Sequence, residues 1–428
     1  MDTKALHVAA AFLGLILNWL IQPWWFGWSI RQRRRHSSRT MTTTHSWFLS
    51  FLAMRWRVGV ALWVFASVST ALSLYIHAQQ LQIKPLVFIL LAYPQAMQFL
   101  RYLHALVVGS RVFGQQFGLD NDKDYHKDIF RRIQIFMWCP PTVIFATKNI
   151  HKDDNDDVDR TNMRVVVNPN EWKHHVKMAL LDIIICEVIC AVVVLSEMHR
   201  WLPHPLQQWL RMYIMAFSTS ILKLLLECPC TYFLSRRRTD IVRIIPIYHQ
   251  PYLTTSPRDL WNQRWSVTAG YHLRCAFYNP AKRFLDKHTT TPGTASFSLL
   301  RCASKVLAAA VPFFINCVLH ITWWSWLVKG QVDHAYWNLL LAYPLISFAI
   351  QDAISALVSP GKRCSETINT EDAVATNDNP YIMLQRMLNL ALLWIGFLWI
   401  ADPMSRAQGL NSSLEKVCRS NLGLPMID

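Results

Sequence analysis

The chain has 428 residues, of which 52% are hydrophobic and only 16% are charged, and its mean hydropathy is +0.17. A soluble domain usually carries about 25% charged residues, so this composition excludes intrinsic disorder and argues against an ordinary soluble enzyme. The formal net charge of +16 fits an excess of Lys and Arg in membrane loops. It does not favour nucleic-acid binding, because no basic soluble domain or binding motif accompanies it.

Long uncharged apolar runs predict an all-α polytopic membrane protein with about eight transmembrane helices, each about 20 residues long. We expect them at about residues 6–21, 58–76, 85–108, 178–195, 206–226, 306–328, 336–358 and 383–400. The first run could be a signal peptide, but the arginines that follow it and the lack of a clear cleavage site favour an uncleaved anchor. The third is interrupted by Pro94 and Arg101 and could be a kinked span or two short segments.

The charges of the first loop predict the orientation. Residues 31–57 contain several arginines and no acidic residue, so this loop should be cytosolic. Eight crossings then place the polar regions 110–176 and 228–301 in the cytosol and both termini in the lumen. The triplet Asn411-Ser412-Ser413 agrees, because it is a glycosylation sequon that is used only on the lumenal side.

Several charged groups allow alternative interpretations. Asp182 and Glu187 lie inside the fourth predicted span, where carboxylates usually face a bundle interior or a cavity. Arg211 and Lys223 lie near the ends of the fifth span and can reach the interface along their aliphatic stems. The acidic residues at 153–159 could suggest calcium, but the glycine and terminal glutamate of an EF-hand are missing, which favours a solvated loop. The ten cysteines indicate neither a disulfide framework nor a zinc site, and we expect no bound metal.

The polar stretch at 251–266 carries the first chemical signal. Ser256, followed by a proline, is a favourable helix N-cap, and Asp259 is favourable in the first turn. Trp261 and Trp265 are four residues apart, so a helix would place both on one face. The pattern is typical of an interfacial helix with aromatic residues at the headgroups, or of a re-entrant helix above a substrate tunnel.

The second signal lies in the sixth predicted span. Asn316 and His320 are four residues apart and should point the same way. A histidine at membrane depth is costly unless it lines a cavity or bonds to a neighbouring helix. A neutral imidazole can also remove a proton from an alcohol as the alcohol attacks an acyl group.

These segments resemble the wax-synthase-like branch of the membrane-bound O-acyltransferases, whose signature reads S-x-x-D-F-W-G-R-R-W-H/N. The matching positions are Ser256, Asp259, Trp261, Arg264 and Trp265. Leu260, Asn262 and Gln263 depart from the signature, and Ser266 stands where the family usually has His or Asn. Leu319-His320 matches the later F-x-x-S-G-L-x-H segment, with Asn316-Cys317 in place of Ser-Gly. The resemblance covers about residues 230–405.

This resemblance implies acyl transfer from an acyl-CoA to an alcohol, with acetyl-CoA as co-substrate and no bound cofactor. The loops look more like fungal members that acetylate terpenoid or meroterpenoid hydroxyls in secondary metabolite biosynthesis, in the endoplasmic reticulum membrane. His320 would be the general base, and Asn316 would orient it or stabilise the oxyanion. Arg264 would meet CoA phosphates, while the two tryptophans would line the entrance beside Ser266.

The resulting organisation has five parts. They are an N-terminal transmembrane region (1–109), a cytosolic loop (110–176), a transmembrane pair (177–227), an acyltransferase core (228–405) and a lumenal tail (406–428). The expected partners are an acyl-CoA, a lipophilic alcohol and the bilayer, without nucleic acid. One alternative is a long-chain wax-ester synthase. Another is a transporter that uses Asp182, Glu187, Arg211 and His320, although no internal repeat supports it.

Overall fold

The computed structural model describes residues 85–108, 139–145, 167–237, 241–289, 296–320, 341–358, 380–407 and 414–425, and isolated positions between 113 and 136. This part of the chain is mostly helical. The first half contains α1 (Pro85–Val108), β1 (Thr142–Phe145), α2 (Trp172–Leu195), α3 (His204–Leu222), α4 (Cys228–Arg237) and β2 (Ile241–Ile245). The second half contains α5 (Val267–Leu273), α6 (Asn279–Thr289), α7 (Ser296–His320), α8 (Tyr343–Val358), α9 (Pro380–Ala407) and α10 (Leu414–Asn421).

Helix α1 is a single helix that passes through both Pro94 and Arg101, so the alternative of two short segments is wrong. The Arg101 side chain is buried and donates to four backbone carbonyls, those of Phe136 at 2.6 Å, Cys139 at 2.7 Å, Pro140 at 3.1 Å and Pro141 at 2.9 Å. Buried charge is tolerated where hydrogen bonds replace water, and the fork of the guanidinium suits a cluster of carbonyls. Arg101 therefore joins α1 to the segment that leads into β1.

Two helical stretches of the described residues, Pro169–Leu195 and His204–Arg236, are long and apolar enough to cross a bilayer. They contain the fourth and fifth predicted spans. Helices α7, α8 and α9 lie at the sixth, seventh and eighth predicted spans. The runs at 6–21 and 58–76, the acidic patch at 153–159 and the sequon at Asn411 lie outside the described residues. The total of eight spans stays a prediction.

Helix α2 has two distinct faces. Its buried residues recur every three or four positions and face α3 and α10; they are Ala179, Asp182, Cys186, Cys190 and Val193. The other face exposes large apolar side chains, namely Leu180, Leu181, Ile184, Val188, Val192 and Leu195. A continuous exposed apolar face on a long helix marks contact with another apolar phase, and a lipid bilayer fits its length.

A two-stranded sheet corrects the all-α expectation. Strands β1 and β2 pair antiparallel, with Thr142 opposite Ile245 and Val143 opposite Ile244. The sheet joins the polar region 110–176 to the polar region 228–301, which the predicted transmembrane pair separates in the sequence. Around the sheet lies an aromatic core that includes Phe113, Phe117 and Phe136, all fully buried. Apolar residues of the region 110–176 thus form a packed unit with the segment that follows α4.

Candidate functional site

The signature segment begins with a helix N-cap. The Ser256 hydroxyl accepts a hydrogen bond from the Asp259 backbone N–H at 3.1 Å, and the Asp259 carboxylate accepts one from the Thr255 N–H at 3.1 Å. The Ser256 side chain thus satisfies a backbone donor that the helix leaves free, and Asp259 fixes the chain just before the N-cap. The predicted N-cap at Ser256 is confirmed.

Asp259 has a second role, because it forms an ion pair with Arg264. The Arg264 Nε atom lies 2.6 Å from the Asp259 Oδ2 atom, and the two side chains are only 19% and 14% exposed. Arg264 also donates from Nη1 to the Gln250 carbonyl at 3.3 Å. The guanidinium predicted to meet CoA phosphates is thus partly committed to holding the segment together. No hydrogen bond within the described residues uses its Nη2 hydrogens.

Arg258 connects the segment to α8. Its Nη2 atom lies 2.8 Å from the Asp352 carboxylate, its backbone N–H donates to Gln351 at 3.3 Å, and its guanidinium lies over the Phe348 ring. The pair with Asp352 is more exposed than the pair of Arg264 with Asp259. Because exposed ion pairs are screened, we expect it to contribute less to stability.

The helix does not continue as the sequence predicted. It widens into a π-turn at Leu260–Arg264, and Trp265 already has an extended backbone. Trp261 and Trp265 therefore do not share a helix face, because the regular repeat ends between them. The Trp261 ring packs edge-on against Phe313 of α7, whereas the Trp265 ring packs against Tyr248. Single π-turns inside α-helices are frequent at functional sites.

Ser266 has a left-handed backbone, with φ at 46° and ψ at 50°, and its carbonyl accepts from Gly270 to begin α5. A non-glycine residue in this region is strained, by about 1–2 kcal/mol. Asn is among the residues enriched there, because its short side chain can hydrogen-bond locally. The conformation gives a backbone reason why an Asn fits this position better than a Ser.

Helix α7, which carries Asn316 and His320, contacts this segment through another residue, Phe313. Phe313, one turn before Asn316, contacts Trp261 and also Phe348 of α8. Ile315 packs against a buried cluster that includes Ala269 and Leu273 of α5. Asn316 is half-buried, and His320 is the last residue described in α7, with its side chain outside the described part. Helix α7 thus contacts the signature segment through the Phe313 side chain.

The Trp261 indole N–H is buried and has no hydrogen-bond partner in the part of the chain that the structure describes. A buried indole N–H normally finds an acceptor, since leaving it unpaired is costly. An acceptor atom of a bound molecule would satisfy it.

Asp182 in α2 faces inward and accepts two hydrogen bonds. Ser220 of α3 donates to its Oδ2 atom at 2.8 Å, and the Tyr252 hydroxyl donates to its Oδ1 atom. The Tyr252 ring stacks on Phe217 with centroids 4.2 Å apart. The carboxylate therefore joins α2 and α3, the two helices of membrane-spanning length, to the turn that leads into the signature segment.

Sequence reasoning missed a buried histidine pair. The Nδ1 atoms of His104 and His272 lie 3.0 Å apart, and the His272 Nε2 atom lies 2.9 Å from the Thr142 hydroxyl. Burial first, and then the charges of His104 and Arg101, lower the pKa of His272 well below its ordinary value. Both rings lie inside the aromatic core. The two histidines are 168 positions apart, so no local sequence signal could have paired them.

His249 is a second histidine that the sequence did not mark. Its backbone N–H donates to the Arg264 carbonyl at 2.9 Å. Burial, followed by the positive charges of Arg264 and Lys223, lowers its pKa to about 4. The imidazole is therefore neutral at pH 7 and can accept or donate a hydrogen bond beside the signature segment.

Glu227 reaches the same segment from the end of a π-turn, Lys223–Glu227, that follows α3. Its Oε2 atom accepts the Ile247 N–H at 2.8 Å, and the Ile247 carbonyl accepts the Val267 N–H at 2.8 Å. The buried Glu227 carboxylate is thus linked through the backbone of Ile247 to Val267, the residue that follows the signature. Within the described residues, no group of three or more His, Cys, Asp or Glu side chains could hold a metal ion.

Comparison with known proteins gives one partial similarity. The chain is 29% identical over 86 residues to an Arabidopsis thaliana protein described as probable long-chain-alcohol O-fatty-acyltransferase 1. The similar stretch covers 20% of this chain and 22% of the plant protein. No model of a known protein family matches the chain. This similarity supports a relationship to the acyltransferases that the signature resembles.

Proposed function

We propose that this protein is an integral membrane O-acyltransferase that moves an acyl group from an acyl-CoA to a hydroxyl of a lipophilic acceptor. The observation that carries the proposal is the assembly of the signature residues, from Ser256 to Trp265, into one hydrogen-bonded segment packed on the helix that contains His320. The partial similarity to a plant O-acyltransferase supports it.

In the proposed reaction His320 is the general base. It takes the proton of the acceptor hydroxyl as the oxygen attacks the thioester carbonyl, and a C–O bond forms. The tetrahedral intermediate then loses the CoA sulfur, which leaves as a thiolate and takes up the proton, so that ester and free CoA are the products. Holding both substrates in one tunnel supplies much of the rate through proximity, and a positioned base contributes about 10²–10⁴-fold.

The other signature residues take supporting roles. Asn316 lies one turn before His320 and orients it or donates to the oxyanion. Trp261 offers its unpartnered indole N–H to an acceptor atom of a substrate. Asp259 and Arg264 hold the segment in shape, and the Nη2 hydrogens of Arg264 are available for an anionic group of CoA. Trp265 and Ser266 border the acyl-CoA path.

We assign acetyl-CoA as the donor and a terpenoid or meroterpenoid alcohol of fungal secondary metabolism as the acceptor, in the endoplasmic reticulum membrane. Eight spans, lumenal termini and glycosylation at Asn411 complete this proposal. The two membrane-length helices and the lipid-suited face of α2 support a membrane location. The signature and its resemblance to fungal acetyltransferases support the donor and acceptor.

A long-chain wax-ester synthase is the second candidate. The name of the plant protein favours it, because that protein is described as acting on long-chain alcohols. The two candidates share the catalytic residues and differ in the length of the acyl chain and in the shape of the acceptor.

Membranes that contain the protein, incubated with radiolabelled acetyl-CoA or palmitoyl-CoA and a panel of terpenoid and fatty alcohols, test both candidates. We expect labelled acetyl esters of the terpenoid alcohols, and none with the His320→Ala variant at equal expression. Preferential transfer of palmitoyl groups to fatty alcohols would establish the second candidate. Absence of transfer from either donor to any alcohol would contradict acyltransferase function.

A further inference from the structure

Glu227 is a buried carboxylate that the proposed chemistry does not use. Its side chain is 0% exposed. The Oε2 atom accepts the Ile247 N–H at 2.8 Å, but the Oε1 atom has no hydrogen-bond partner in the described part of the chain. A buried carboxylate oxygen without a donor is costly, so such an atom requires an explanation.

The position of Glu227 ties it to the signature segment. Ile247, which bonds to Glu227, also accepts the backbone N–H of Val267, the residue directly after Ser266. The π-turn after α3 and the end of the signature therefore meet at one place inside the protein.

The chemistry of this place calls for a hydrogen-bond donor. Lys223, four residues before Glu227 and also buried, lies close enough for its charge to act on the carboxylate, but no ion pair joins the two side chains in the described structure. An ionised carboxylate only accepts hydrogen bonds. A partner that supplies an O–H or an N–H would satisfy the Oε1 atom of the ionised form, and a bond of this kind to a charged group is among the stronger ones.

We propose that the Oε1 atom of Glu227 binds a second hydroxyl of the acceptor, so that the enzyme selects diols or polyols over simple fatty alcohols. This inference rests on the proposed function, because the first hydroxyl is the one that His320 deprotonates. A carboxylate disfavours the polyanionic end of an acyl-CoA, whereas it suits a neutral polyhydroxylated acceptor. The amide N–H groups of the CoA pantetheine arm could donate to Glu227 in the same way. The experiment distinguishes them from an acceptor hydroxyl by the KM for acetyl-CoA.

The test compares kcat/KM for acetyl transfer to 1-hexadecanol and to hexadecanediols whose hydroxyls are separated by different numbers of carbons. We expect at least one diol to be preferred by 10-fold or more in the wild type, since bonds to charged groups correspond to about 10–150-fold. In Glu227→Gln the preference should fall below 3-fold, because the amide can still accept from Ile247 but carries no charge. Glu187→Gln, a change in another carboxyl of the transmembrane pair, should keep the wild-type preference.

The outcomes separate the inference from the proposed function. Equal kcat/KM for all diols and for the monoalcohol in the wild type would overturn the inference and leave the acyltransferase intact, even where the variant fails to fold. A Glu227→Gln variant that raises KM for acetyl-CoA and keeps the diol preference would assign the donor to pantetheine and overturn it too. Transfer to no alcohol at all would overturn the proposed function and the inference with it.

Discussion

Helices α2 and α3 are regular over 24 and 19 residues, whereas the chain between residues 246 and 278 changes conformation repeatedly. That segment contains a 3₁₀ turn, two π-turns and two left-handed residues, Gln250 and Ser266. The helix pair satisfies its backbone through its own i→i−4 hydrogen bonds. The irregular segment depends on side chains instead, such as the cap at Ser256 and the carboxylates of Asp259 and Glu227.

The comparison suggests a division of labour. The helix pair can sit in lipid because the exposed face of α2 is apolar and the backbone polar groups of a helix bond within the helix. The segment places charged and polar groups where a substrate can meet them, at a cost in local regularity. Substitutions in the segment and on α7 should therefore change turnover first, and substitutions in the helix pair should change stability first.

The largest effect is expected for His320. Replacing it by Ala or Gln should lower kcat by at least 100-fold at unchanged thermal stability, since a general base contributes about 10²–10⁴-fold. His272→Gln is the matched control: it disturbs a buried hydrogen-bond network and should lower the free energy of unfolding by about 1–3 kcal/mol. Steady-state kinetics and thermal unfolding in detergent measure both. A His320 variant that keeps a tenth of wild-type turnover would remove this residue from the role of base.

A smaller effect is expected for the ion pair of Asp259 and Arg264. Asp259→Asn and Arg264→Gln should each lower kcat/KM by about 10-fold, and the double variant should lose little more, because the two residues act as one unit. Arg258→Gln, in the more exposed pair with Asp352, should change kcat/KM by less than about 2-fold. Strictly additive losses in the double variant would show that the two residues act separately.

Asp182 lies where the helix pair meets the irregular segment, so its replacement tests whether the two regions are coupled. Asp182→Ala leaves the hydroxyls of Ser220 and Tyr252 without their acceptor and should lower the free energy of unfolding by about 1–3 kcal/mol. Glu187→Gln on the same helix should change it by less than about 0.5 kcal/mol. Denaturant unfolding followed by tryptophan fluorescence would show the difference. Equal stability of the two variants would mean that Asp182 does not anchor Tyr252.

The smallest effect concerns Ser266. Ser266→Asn and Ser266→Gly should both raise the free energy of unfolding by roughly 0.5–1 kcal/mol, because both residues tolerate the left-handed backbone better than Ser. We expect Asn alone to raise kcat/KM, since its amide adds a donor beside the acyl-CoA path. If all three proteins share the same kcat and KM, the side chain at this position is a bystander and the signature ends at Trp265.

The sequence predicts the helix pair well and the irregular segment poorly, for a physical reason. Apolar runs locate α2 and α3 because lipid and protein interior both select the same residues over a whole helix. The prediction placed the start of the fourth span at 178, but α2 begins at Trp172, since its first turn is polar. Asn168 caps the preceding turn by accepting from Asn170 at 3.0 Å, a local signal that hydropathy does not weigh.

The parts that sequence missed depend on contacts across long separations. Strand β1 pairs with β2 about 100 residues later, although neither four- to five-residue strand has a strong pattern of its own. The N-cap at Ser256 could be predicted, because its hydroxyl accepts from a residue only three positions later. The π-turn after Asp259 could not, because no periodicity marks where a helix gains a residue. Glu227 was missed because its interest comes from its contact with Ile247, 20 residues later, and not from any pattern in its own segment.

Helix α10 has a consequence for how the protein is made. Leu414 and Cys418 pack into the cluster formed by Cys186, Cys190 and Ile214 on the inner faces of α2 and α3. About 200 residues must be synthesised after α3 before α10 can cover this cluster. The apolar groove between α2 and α3 is therefore uncovered during that part of synthesis. Whatever occupies the groove in that interval, lipid or chaperone, must leave when α10 arrives. Removing the chain after Ala407 would therefore expose the apolar cluster between α2 and α3 again, as it is exposed before α10 is synthesised.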